Sequence, residues 1–220
     1  MKPEAGVLMS RSHAISVVLD LLTDELVIVC NGFPSREAYT HRDRPEHFYM
    51  IGSMGAAPAI GLGVAVAQPR RKVVVFDGDG NVLMSMGTLA TVGALQPKNF
   101  IHIVFDNEVY GSTGNQPTLS HTIHLDAVAS ATGYRHVARV REKDALAATA
   151  KGMLTSEGPS FLLVKVSQEA HEPARVEIEP SAMTERFRQA AMGKRGVGSV
   201  DPSAGRGGIG AHSGGRTGPR

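Results

Sequence analysis

The sequence predicts an α/β protein, a three-layer αβα arrangement with a mainly parallel sheet. Three observations predict it. Short strand-like runs stand at 26–30, 73–76 and 101–105, and the one at 73–76 lacks polar alternation, as strands do when both sheet faces are covered. Segments of helical spacing separate them, and alternating strands and helices call for parallel pairing with right-handed crossovers. Turns rich in glycine follow the runs at 52–55 and 78–80, where the chain leaves the sheet.

The elements follow in order. Residues 10–22 place Ile15, Val18, Leu19 and Leu22 on one face of a helix. Residues 26–30 read as a strand, 31–47 as a polar and charged loop, and 48–51 as another short apolar run. Residues 55–68, rich in Ala and Gly, read as a tightly packed helix that Pro69 breaks. A strand at 73–76 leads through the turn Gly78-Asp79-Gly80 to a helix at 84–95. A strand at 101–105, a loop at 107–120 and a short helix at 126–132 come next. A strand at 135–140, a helix at 142–154 and a closing strand at 160–166 complete the body.

Composition narrows the function classes. The 220 residues are 42% hydrophobic and 20% charged, which is globular. One cysteine, Cys30, excludes an internal disulfide framework and a paired-cysteine zinc site, and reads as a small buried residue. Neither a signal peptide nor a run of about 20 apolar residues is present, so a soluble cytoplasmic protein is expected. Residues 1–180 are expected to form the folded domain and 181–192 a short helix. Residues 193–220 contain 10 glycines and five basic side chains against the single acid Asp201, and are expected to form a disordered tail. Without that tail the body has 18 basic and 20 acidic groups, so the overall +2 does not mark a nucleic-acid binder. The tail also has no aromatic residue for base stacking.

Ligands of open parallel sheets bind beyond the carboxyl ends of the strands. Three segments meet that condition: Gly52-Ser53-Met54-Gly55, Gly78-Asp79-Gly80-Asn81, and Asn107 with Tyr110-Gly111. Gly78 and Gly80 let backbone approach a ligand, and the helix that follows favours phosphate. A carboxylate beside a diphosphate repels it unless a divalent cation intervenes. Asp79 with the neutral amide of Asn107, separated from Gly80 by 26 intervening residues, suits Mg²⁺. Other phosphate signatures are absent: there is no GxxxxGK[ST], and Val66 and Leu83 stand where a GxGxxG would end. His121-x-x-His124 has ligand-pair spacing without nearby cysteines, and a structural metal is not expected there.

These motifs resemble the diphosphate-binding domain of thiamine diphosphate-dependent decarboxylases. VVVFDGDGNVLMSMGTLATVG, FDNEVYGSTGNQPT and FYMIGSMGAAPAIGLGVAVA carry the resemblance, which covers roughly residues 10–168. Within the family, DRPEHFYMIGSMG and NEVYGSTGNQPT are similar to the sulfopyruvate and phosphonopyruvate decarboxylases. The resemblance implies thiamine diphosphate and Mg²⁺ as cofactors. The metal would be held by Asp79, Asn107 and the carbonyl of Val109. Cofactor contacts would come from Gly52, Ser53, Met54, Gly78, Gly80, Asn81, Tyr110 and Gly111, besides the two metal-binding side chains. Met54 would enforce the bent cofactor, and the carbonyl of Gly52 would orient its amino group.

The family also needs a glutamate on a separate pyrimidine-binding domain, and no glutamate here matches it. The resemblance therefore implies the β subunit of a split lyase. Its α subunit would bring the pyrimidine domain and the activating glutamate, and its substrate would be a small anionic 2-oxo acid. For 3-sulfopyruvate the products would be sulfoacetaldehyde and CO₂; the phosphonate analogue is the alternative. A basic cluster of Arg36, His41, Arg42, Arg44 and His47 could meet the acidic group or be a solvated loop. A cofactor-binding module without turnover remains a second reading.

Overall fold

The computed structural model describes residues 8–168 and 172–193. Strands β1 (Leu26–Val29), β2 (His47–Tyr49), β3 (Val73–Gly78), β4 (Phe100–Asp106), β7 (His136–Val140) and β8 (Ser160–Lys165) form one sheet. Its order is β2-β1-β3-β4-β8-β7, and every neighbouring pair is parallel. The two-residue strands β5 (Val109–Tyr110) and β6 (Gln116–Pro117) make a separate antiparallel hairpin.

Helices cover both faces, so the expected three-layer architecture is found. On one side α1 (Arg11–Leu19), α2 (Phe33–His41) and α7 (Lys143–Thr155) bury Ile15, Leu19, Ala38 and Leu146 against Val27, Phe76 and Phe105. On the other, α3 (Ala57–Ala67), α4 (Asp79–Met84), α5 (Gly87–Leu95) and α6 (Leu125–Ala131) bury Leu62, Val82, Leu89 and Leu125 against Ile28, Val75 and Phe161. The central strands β1, β3 and β4 are buried on both faces because each face meets helices, and they are apolar apart from Asp77, His102 and Asp106. α3 comes especially close: a Cβ on Gly61 would lie 2.3 Å from Val75 Cγ2. Helix α8 (Pro180–Met192) closes the β2 edge, with Met183 in one core and Phe187 packed edge-to-face on Phe48 at 5.6 Å.

Three local readings are corrected. The expected loop at 31–47 contains α2. Its buried positions include Ser35 and Glu37, polar side chains whose burial is compensated by hydrogen bonds, so no apolar face advertises the helix. The turn at 78–80 is already the first turn of α4, and the helix expected at 84–95 is broken at Ser85–Met86, giving α4 and α5. The loop at 107–120 holds the β5–β6 hairpin and a 3-10 turn at Leu119–His121. The tail expected from 193 onward lies, Gly193 apart, outside the described residues. Among the described residues no helix is long and apolar enough to cross a membrane.

The chain runs outward from β1 to β2, then returns past β1 to β3. The loops leaving β1 and β3 therefore diverge and open a crevice at the carboxyl edge of the sheet.

Candidate functional site

That crevice is a cavity whose walls come from four places. Asn31, Gly32 and Phe33 follow β1, and Met54 precedes α3. Gly78, Asp79, Gly80 and Asn81 follow β3, and Asn107, Val109, Tyr110 and Gly111 follow β4. The three segments separated in sequence thus meet in space. Asn81 Oδ1 ties two of them by accepting from Gly55 N–H at 3.1 Å. Gly80 is where backbone, Tyr110 and Met54 converge: a Cβ there would lie 2.4 Å from the Tyr110 ring and 3.2 Å from the Met54 methyl.

Asp79 is 2% exposed and starts α4. Thr118 Oγ1 donates to its Oδ2 at 2.5 Å, and Ser120 Oγ lies 2.9 Å from both Asp79 Oδ2 and Asp106 Oδ1. The hydroxyl has one proton and so serves one carboxylate at a time. Asp106 is offset by Lys165, whose Nζ is 2.8 Å from Asp106 Oδ2 and 2.5 Å from Glu108 Oε1. Burial pushes the Asp79 carboxyl up to about 6; the Thr118 hydroxyl opposes the shift and the Asp106 charge adds to it. A group held this way gains from a cation placed against it. Below it, Asp77 fixes the turn by accepting from Gly78 N–H at 3.1 Å, while His102 Nε2 holds its other oxygen at 3.1 Å in full burial.

Of the residues picked from sequence, Met54, Gly78, Asp79, Gly80, Asn81, Asn107, Val109, Tyr110 and Gly111 line the cavity. Gly52 and Ser53 do not; they stand on an exposed rim, Ser53 with a φ of 56°. The lining also includes Arg11, Asn31, Gly32 and Phe33, which the sequence reading missed. Gly32 after β1 repeats the strand–glycine signal of the other motifs and could have been found. Arg11 starts α1 and Thr118 ends the hairpin, and neither position has a local signal. His121 and His124 do not converge: His121 Nδ1 lies 2.6 Å from the Thr118 carbonyl and His124 Nδ1 3.2 Å from Arg139.

Residues 32–164 match the family described as thiamine pyrophosphate enzyme, C-terminal TPP binding domain. The chain belongs to the thiamine diphosphate-dependent enzymes. Its relatives include the sulfopyruvate decarboxylase subunit beta of Methanothermobacter thermautotrophicus, 42% identical over 85% of this chain and 98% of that protein. The phosphonopyruvate decarboxylase of Streptomyces viridochromogenes is 44% identical over 78% of this chain and 43% of that protein. The chain thus spans less than half of the second relative and nearly all of the first. Benzoylformate decarboxylase from Polynucleobacter necessarius shares the fold, with a TM-score of 0.60 over 74% of this chain and 34% of that one at 24% identity.

The cavity suits the family's cofactor on three counts. The close approach at Gly80 admits backbone but no side chain. Asn31, in the lining, has its Oδ1 buried without a partner among the described residues, an acceptor open to a ligand. Asp79 and Asn107, both in the lining, carry side-chain oxygens, the donor type of Mg²⁺. Among the described residues no group of three His, Cys, Asp or Glu side chains is arranged for a metal. A cation here would therefore draw its remaining oxygens from phosphate and water, as Mg²⁺ commonly does.

Proposed function

We propose that the chain is the β subunit of a thiamine diphosphate-dependent 2-oxo acid decarboxylase that converts 3-sulfopyruvate to sulfoacetaldehyde and CO₂. The observation that carries this reading is the meeting of Asp79, Asn107 and Val109 with the Gly80–Tyr110–Met54 cradle at the sheet's switch point. The relative named as a sulfopyruvate decarboxylase subunit beta, matched over 98% of its length, supports the choice of substrate and of a split enzyme. The phosphonopyruvate decarboxylase relative makes phosphonopyruvate the second candidate substrate.

In this reading the carboxylate of Asp79, the amide oxygen of Asn107 and the carbonyl of Val109 hold Mg²⁺. Gly78, Gly80, Asn81, Tyr110 and Gly111 hold the diphosphate, and Met54 supports the middle of the cofactor. Bound thiamine diphosphate supplies the electron sink that takes the electron pair left when the 2-oxo acid loses CO₂. Gly52 and Ser53, exposed on the rim, face an α subunit that brings the pyrimidine-binding domain and the activating glutamate. The carbonyl of Gly52 orients the cofactor's amino group.

The test is CO₂ release from 3-sulfopyruvate and phosphonopyruvate by the chain alone and mixed with its partner subunit. Turnover by the mixture only is expected. Equal activity of the lone chain would refute the split site, and an inert mixture would refute the reaction. Asp79→Ala should abolish Mg²⁺-dependent cofactor binding, read by calorimetry.

A further inference from the structure

The basic cluster noted in the sequence does not act as one group. His41 Nε2 pairs with Asp20 at 3.0 Å. Arg42 donates to the carbonyls of Leu19 and Leu22 at 3.1 and 3.3 Å, at the end of α1 and just past it. Arg44 donates to the Thr23 carbonyl and to His47, and His47 is buried and held neutral, its imidazole pushed down to about 3 by burial and the Arg44 charge. Four of the five therefore have structural partners. Arg36 is different: it meets Glu172 at a loose 3.6 Å, and that carboxylate is 83% exposed.

Among the described residues Arg36 is the loosely paired cation of its neighbourhood. Its guanidinium stands 5.6 Å from the Phe33 ring centroid, and Arg11 stands 5.4 Å from the same ring. Arg11 is neutralised by Glu37 through two bonds of 2.8 and 2.9 Å. Arg36 lines a second cleft of about 480 Å³, which shares Asn31 and Gly32 with the cofactor cavity. Arg175 lines that cleft too, together with the exposed Glu177 and Glu179.

We propose that this cleft receives the tetrahedral oxyanion group at the far end of the substrate, with Arg36 as its main cation and Arg175 as the second. A planar guanidinium held by an aromatic ring presents paired N–H donors to such a group. The inference rests on the reading above, in which the adjoining cavity holds the cofactor that takes the electron pair of the 2-oxo acid. Glu177 and Glu179 balance the two arginine charges of the lining, so a second negative charge on the ligand goes uncompensated, which favours a singly charged sulfonate over a doubly charged phosphonate.

The test uses the full chain with its partner subunit, Mg²⁺ and thiamine diphosphate, titrated calorimetrically with unreactive acids. 3-Sulfopropionate should bind about tenfold to a hundredfold tighter than propionate, the range of a hydrogen bond to a charged group. Arg36→Gln should remove that gap while leaving propionate affinity, cofactor affinity and the thermal midpoint unchanged, and Arg36→Lys should restore part of it. A gap that survives in Arg36→Gln, or is missing in the unmodified protein, overturns the site. 3-Phosphonopropionate binding as tightly as the sulfonate overturns the sulfonate preference alone. An Arg36-dependent gap in an enzyme that decarboxylates neither substrate keeps the anion site and refutes the reaction.

Discussion

Asp79 shows how one residue can be made ready for a cation. Its folded carboxyl titrates near 6, above its ordinary value, because burial and Asp106 outweigh the Thr118 and Ser120 hydroxyls. Between its ordinary value and about 6 the metal-free folded chain binds a proton that the unfolded chain lacks. Stability of the metal-free chain therefore falls as pH rises through that window, and Mg²⁺ should reverse the trend. Below pH 6 a proton competes with the metal, so apparent Mg²⁺ affinity should fall by up to about tenfold per pH unit. Thr118→Val removes a hydrogen bond that lowers the carboxyl, so the pH at which affinity is lost should move upward. Thr118→Ser should move it back. Calorimetric Mg²⁺ titrations between pH 5 and 8 read both effects; an unmoved midpoint in Thr118→Val would count against the assignment of Asp79.

At the scale of elements, two helix glycines should respond to alanine with opposite signs. Alanine gains about 1 kcal/mol over glycine in a helix interior. In α7, a Cβ on Gly152 meets nothing within 4 Å, so Gly152→Ala should stabilise by about 0.5–1 kcal/mol. In α5, a Cβ on Gly93 would lie 1.7 Å from the Thr132 carbonyl oxygen, a backbone atom next to Gly133. Overpacking of this kind costs about 1–3 kcal/mol or more, so Gly93→Ala should destabilise despite the propensity gain. Thermal midpoints of the two variants decide it. The same contrast explains what the sequence made legible. β3, β4 and α3 announced themselves because their apolar residues are contiguous or closely spaced. α2 did not, because Ser35 and Glu37 are buried through hydrogen bonds rather than apolar contacts, Ser35 to the Cys30 carbonyl just past β1 and Glu37 to Arg11 at the start of α1. In the site, strand-end glycines gave away Gly78, Gly80 and Gly111, whereas Arg11 reaches the cavity, and Thr118 and Ser120 reach Asp79, only through tertiary folding.

Across the whole molecule, exposed apolar side chains are not placed at random around the site. Ile51 is 73% exposed and Met84 64%, and both belong to segments that line the cavity, the loop before α3 through Met54 and α4 through Asp79, Gly80 and Asn81, while Leu119, 59% exposed, follows Thr118, the donor to Asp79. Gly55 links two of those segments, since a Cβ on it would lie 3.1 Å from Met84 Cβ. Val66 and Leu95 are as exposed, but they sit where α3 and α5 end, at the opposite edge of the sheet. An apolar rim around a polar cavity is the kind of surface a second polypeptide covers. If the α subunit closes the site here, Ile51→Lys and Met84→Lys should weaken its association at least about tenfold, as loss of a central apolar contact does. Val66→Lys and Leu95→Lys should leave association unchanged. None of the four should shift the thermal midpoint of the lone chain by more than a small amount, because each side chain is already in water. Sedimentation velocity of the mixed subunits reads the outcome. Weakening by Val66→Lys or Leu95→Lys but not by the rim variants would place the partner at the other edge of the sheet, away from the cofactor, and the shared active site would fall with it.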